Sequence, residues 1–100
     1  MGSYSSDVKA VYWTSSSGTS GVGTVIAGRN RIKGIHVHTA GSSNSVLEIK
    51  DGSSGSQVIK ADFQKADNDS IYIPGDGLLC VNEAYVSVFT NIDSITVFYA

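Results

Sequence analysis

His36 and His38 are the two histidines of the chain, and they stand two residues apart in the run Arg31 to Thr39. In an extended strand that spacing sends both imidazoles to one side of the sheet, which is the first requirement of a metal chelate. The donor set then falls short. A zinc site takes three or four protein ligands, and the chain offers no third histidine and a single cysteine, Cys80, inside the apolar run Leu78 to Val81. The remaining route to a metal is a site shared on a three-fold axis, where copies of one histidine meet. The pair is therefore read as exposed or interface histidines, and neither a metal nor a cofactor is expected. Cys80 has no intrachain disulfide partner and reads as a buried, reduced thiol.

Nucleophilic and acid–base chemistry find as little footing. Serine is abundant, but it sits in turns, and no GxSxG elbow is present. Asp62, Asp67 and Asp69 surround a loop and read as its solvated lining, not as the paired carboxylates of sugar hydrolysis. Gly75 to Gly77 is a turn that lacks the GxxxxGK phosphate-loop pattern. No catalytic residue is assigned, and the protein is expected not to be an enzyme.

Two features suit contact with other molecules. Tyr12 and Trp13 are adjacent, so a strand sends them to opposite faces, one to the core and one to the surface. Trp13 is taken as the candidate interface aromatic, since aromatic side chains are enriched at interface cores. Arg29, Arg31 and Lys33 form the one local basic feature, suited to salt bridges with acidic groups on a neighbouring subunit or merely to solvation. With His36 and His38 these residues make up the candidate protein interface.

The elements that must position them are strands. Short β-branched and aromatic runs recur, each closed by Gly, Ser, Asn or Asp, at the spacing of sandwiches and barrels. They are Val8–Thr14, Val22–Ala27, Arg31–Thr39, Val46–Lys50, Gln57–Phe63, Ser70–Ile73, Leu78–Val81, Tyr85–Thr90 and Ser94–Tyr99. An all-β antiparallel sandwich of eight or nine short strands follows. Leu47 and Ile49, then Ile59, Ala61 and Phe63, then Ile71 and Ile73, then Ile95, Val97 and Tyr99 alternate with polar neighbours and mark dry faces. Ile32 is out of phase with Ile35 and Val37, so a bulge is expected at Gly34. The turns at Asp51–Gly52, Pro74–Gly77 and Asn91–Ser94 are short, which predicts antiparallel neighbours on either side of each. Ser15 to Gly23 is rich in Gly and Ser and reads as a mobile loop beside an exposed partner face.

One hundred residues suit one domain, here 7–100 behind a flexible arm at 1–6. Seven Lys and Arg stand against nine Asp and Glu, a formal net charge of -2, with no block of one sign. Nucleic acid is therefore not an expected partner. Only 16% of residues are charged, below the usual quarter or so, and a neutral surface suits packing on protein. No apolar stretch approaches the ~18 residues of a membrane helix, and Met1–Ser6 lacks the features of a signal peptide. Membrane contact is not expected, and the protein is expected to stay in the cytosol or to be released by a route that needs no signal.

The phrases AGRNRIKGI (Ala27–Ile35), KDGSSG (Lys50–Gly55), IPGDGLL (Ile73–Leu79) and IDSITVFY (Ile92–Tyr99) together resemble small virion proteins of tailed bacteriophages, especially those of marine hosts. The similarity runs from about Val11 onward and consists of strand and turn phrases. It implies a jelly-roll-like sandwich and a capsid decoration or cement role. It also implies a phage capsid protein as partner, a homo-oligomer with a trimer favoured, and residence in the virion after synthesis in the host cytoplasm. No individual functional residue carries over. A carbohydrate-binding tail or head-fibre module that recognises host surface glycans is the alternative.

Overall fold

The computed structural model describes residues 8–39, 44–63, 68–73, 75 and 77–100. Met1–Ser6, Asp67 and the side chains of Asp69 and Tyr72 lie outside the described residues. The described chain forms nine strands: β1 (Lys9–Thr14), β2 (Gly23–Ala27), β3 (Asn30–Thr39), β4 (Ser45–Asp51), β5 (Gln57–Phe63), β6 (Asn68–Tyr72), β7 (Leu78–Cys80), β8 (Glu83–Thr90) and β9 (Ile92–Tyr99). Each coincides within a few residues with a run rich in β-branched and aromatic side chains, which favour a pleated, half-buried surface.

The pairing has one simple origin. Lys9 lies opposite Tyr99, Ala27 opposite Glu83, Ile32 opposite Leu78, Gly34 opposite Tyr72 and Ser45 opposite Phe63. All of these pairs are centred on Ser53–Gly55, the tip of the turn between β4 and β5. The first half of the chain thus runs against the second as one long antiparallel ribbon. The ribbon is wound so that β9 also pairs with β3, and β8 with β4. Two layers result, ordered β1-β9-β3-β6 and β2-β8-β4-β5, with β7 on the same edge of β3 as β6. This is the double-sheet jelly roll.

Alternation then fills the space between the layers. Ile32, Ile35 and Val37 of β3, Leu47 and Ile49 of β4, Ala84 and Val86 of β8, and Ile95 and Val97 of β9 are all buried. Val11, Trp13, Ile59, Ala61 and Tyr99 pack against them from the margins. Bulges adjust the phase where alternation fails. Between Ile32 and Gly34 the partner β9 advances by one residue only, from Tyr99 to Phe98, so Lys33 is the extra residue and Gly34 is itself paired. Between Thr24 and Ile26 the same happens against Tyr85 and Ala84, which lets Val25 and Ile26, adjacent in sequence, both be buried.

Two short turns do not join neighbours. β6 and β7 lie end to end along β3; Pro74 and Asp76 of the expected turn lie outside the described residues, and Gly77 before β7 has φ +86°, where a Cβ would stand 2.6 Å from the Ile32 carbonyl oxygen. β8 and β9 belong to different sheets. Asn91 alone links them, in the left-handed region at φ 56°, and its Nδ2 donates to the Asn44 carbonyl at 3.0 Å while the buried Ser45 hydroxyl donates to the Asn91 carbonyl at 2.6 Å. A one-residue link leaves no room for a hairpin reversal, so it acts as a corner between layers.

The loop expected to be mobile is instead bonded within itself. The Thr19 N–H donates to the Val22 carbonyl at 2.8 Å, and the Gly21 N–H to the Ser17 carbonyl at 2.8 Å. Its Gly and Ser residues serve backbone geometry, since Gly18, Ser20 and Gly21 all have positive φ.

Candidate binding face

The outer surface of the β1-β9-β3-β6 sheet is a grid set by strand register. Across β1, β9, β3 and β6, one row reads Ala10, Phe98, Gly34, Tyr72; the next Tyr12, Thr96, His36, Ser70; the third Thr14, Ser94, His38, Asn68. None of these twelve positions holds Lys, Arg, Asp or Glu. Among the described side chains two are large exposed rings, Tyr12 at 66% and Phe98 at 40% accessibility. The opposite outer face differs. There Glu48 pairs with Lys60, and Lys50 and Asp62 lie on the same strands, a pattern that favours solvation.

His36 and His38 project from this face as their spacing predicts, and both are exposed. His36 Nδ1 is 2.8 Å from the Ser70 hydroxyl, one strand away. His38 Nε2 is 3.7 Å from a carboxylate oxygen of Asp93, a residue at the start of β9. A serine bonded to a histidine is two-thirds of a hydrolytic triad, but the acid here meets His38 and not His36. Among the described residues no pocket is present and no three His, Cys, Asp or Glu side chains gather.

Trp13 is not the exposed aromatic of β1 but is half-buried. It turns inward with Val11 and packs on the core, its Nε1–H donates to the Gly21 carbonyl at 2.7 Å, and its ring lies over Gly18 and Gly23. Tyr12 takes the exposed position. The signal was present in β1 itself, where Val11 is in phase with Trp13 while the small or polar Ala10 and Thr14 are in phase with Tyr12. Phe98 was legible in the same way, being out of phase with Ile95, Val97 and Tyr99.

Arg31, just before the bulge of β3, and Lys33, the bulged residue itself, are half-buried, while Arg29 is exposed in the turn that precedes the strand. The Lys33 stem lies beside Gly77, so part of its side chain covers backbone. Among the described residues none of the three cations makes an ion pair. The structure therefore brings Arg31, Lys33, His36 and His38 together along β3, sets Arg29 just beyond, and turns Trp13 toward the core.

A second polar cluster binds the two halves of the ribbon. Asp51, the last residue of β4, accepts backbone N–H bonds from Val81 at 3.0 Å, Asn82 at 2.7 Å and Glu83 at 3.4 Å. The Asn82 and Val81 bonds hold its carboxyl below the ordinary value, since they favour the charged form. Next to it Cys80 is buried, and loss of hydration, with the Asp51 charge adding to it, pushes its thiol up to about 11. Such a thiol is protonated and unreactive at neutral pH.

Compared with known protein families, curated proteins and solved structures, the chain matches none.

Proposed function

We propose that this domain is a non-enzymatic structural protein of a tailed-phage virion, a capsid decoration protein that docks on neighbouring capsid subunits. The observation that carries the docking is the β1-β9-β3-β6 outer face, where Tyr12 and Phe98 are exposed among twelve positions free of formally charged residues. Burying such a surface costs little desolvation of charge, and aromatic side chains contribute strongly at interface centres. The phage assignment is drawn from the strand and turn phrases described above. The jelly roll is compatible with it, as the fold serves capsid and lectin domains alike, though fold alone does not specify function.

The arrangement suits a shell. Each contact of a small flat face is modest, and several copies held together as an oligomer, a trimer by preference, multiply the effective affinity and match the symmetry axes of the particle. Arg31 and Lys33 at one end of the face offer pairing to acidic capsid groups. Quantitative mass spectrometry of purified particles tests the role. The expected result is a copy number commensurate with the capsid subunits; absence, or a few copies per particle, refutes it.

One observation favours a second reading. The Tyr12 ring stands exposed beside Thr96, with His36 one strand further along the same row, an aromatic surface with hydrogen-bonding groups in its row, which is the chemistry that holds sugar rings. A glycan array probed with the intact protein separates the two: binding that Tyr12→Ser abolishes supports a host-glycan module, and an array without hits removes it.

A further inference from the structure

We propose that His36 and His38 form a two-histidine transition-metal site on the outer face of β3, with Cu(II) as its best-fitting ion. Imidazole nitrogen suits copper, nickel and zinc, and affinity for such donors peaks at Cu(II) among the divalent first-row ions. Zinc asks for three or four protein ligands. A tetragonal Cu(II) ion accepts two imidazoles side by side and fills its other positions with water, so two ligands suffice. Residues two apart on a strand are separated by about 6.6 Å, a gap that two imidazoles leaning together can close on one ion.

The surroundings of both rings support this use. Metal-bound histidines usually engage their second nitrogen with a neighbouring polar group, which fixes the ring and the tautomer. His36 has that arrangement already: the Ser70 hydroxyl holds Nδ1 at 2.8 Å, which leaves Nε2 to bind. Beside His38, the Asp93 carboxylate at 3.7 Å from Nε2 supplies negative charge and leaves Nδ1 to bind. The rows that carry the histidines contain no Lys or Arg, so no fixed cation shares those rows with the ion. Both side chains are exposed, His38 at 54%, and an ion reaches them without any opening of the fold. The site does not rest on the capsid reading, but it lies on the same face, so it is open to an ion in the free protein and covered once that face is docked.

Titration of the full chain with copper sulfate alone, in a non-coordinating buffer at near-neutral pH, tests the proposal by electron paramagnetic resonance. The wild type is expected to bind one ion with two equatorial nitrogens. His36→Asn and His38→Asn each reduce the signal to a single imidazole nitrogen, and the double variant loses the site. Ser70→Ala weakens binding by about 10- to 100-fold, the usual effect of removing a group that orients a ligand. Thermal midpoints shared by all variants show that each is folded. Copper bound by the wild type no more tightly than by the double variant, as for an ion held at the chain terminus, overturns the proposal.

Discussion

Replacement of Gly21 by alanine tests the packing that places the tryptophan inside and the tyrosine outside. Gly21 has φ +89°, and a Cβ there would overlap the Phe89 ring at Cδ2 and stand 2.6 Å from its Cγ. The left-handed backbone costs an L-residue about 1–2 kcal/mol. Displacing a packed ring adds about 1–3 kcal/mol, so the total is about 2–5 kcal/mol. Gly28 provides the control, because its φ is +78° with nothing within 4 Å of the added carbon, and Gly28→Ala is expected to show the backbone cost alone. Urea unfolding followed by the fluorescence of Trp13, the single tryptophan of the chain, measures both. The reporter is bonded to the Gly21 carbonyl, so the signal comes from the altered loop. The difference between the two variants should be about 1–3 kcal/mol, and Phe89→Ala should largely remove it, since the overlap goes with the ring. Equal midpoints for Gly21→Ala and Gly28→Ala would refute the placement of Phe89 over this loop.

The remaining predictions concern single residues. Trp13→Phe keeps an aromatic ring but deletes the bond to Gly21, and should cost about 1 kcal/mol or somewhat more, read as a fall of several degrees in thermal midpoint; no fall would mean that this bond contributes nothing to stability. Asp51 has a folded pKa below its ordinary value of 3.8, so its bonds contribute stability that is present above 3.8 and lost as pH falls through the lower folded value. Thermal midpoints of the wild type should therefore fall more steeply with acid in that range than those of Asp51→Asn, and parallel curves would contradict the bonding described. Cys80, with its thiol pushed up to about 11, should react slowly with a thiol reagent in the native protein and at once in urea, whereas fast native labelling would place it at the surface. Tyr12→Ser should leave stability within about 0.5 kcal/mol and weaken attachment to particles, and unchanged attachment would exclude this face from docking.

The strand runs, their dry and wet faces, and the need for a phase change near Gly34 were legible because each depends on a period of two residues read along one segment. Leu47 and Ile49, or Ile95 and Val97, declare their side of the sheet whatever strand lies next to them. Turn chemistry was less informative. Asp51 and Gly52 do open a hairpin, yet the same kinds of residue at Pro74–Gly77 and Asn91 lead to a collinear strand and to a change of sheet, because turn residues specify local backbone angles and not the partner that follows.

What the sequence by itself determined is therefore local: an all-β chain of eight or nine short strands, a neutral surface, a buried thiol, and two histidines on one side of a strand. Tertiary structure decided everything that depends on contacts between distant segments. It wound the ribbon into two layers, opposed Tyr12 to Thr96 and His36 to Ser70, carried Asp51 to the N–H groups of Val81, Asn82 and Glu83, and laid Trp13 on the glycines of its own loop. The physical reason is that side-chain direction follows from backbone geometry within a strand, whereas the choice of neighbouring strand is made by the burial of all the dry faces together.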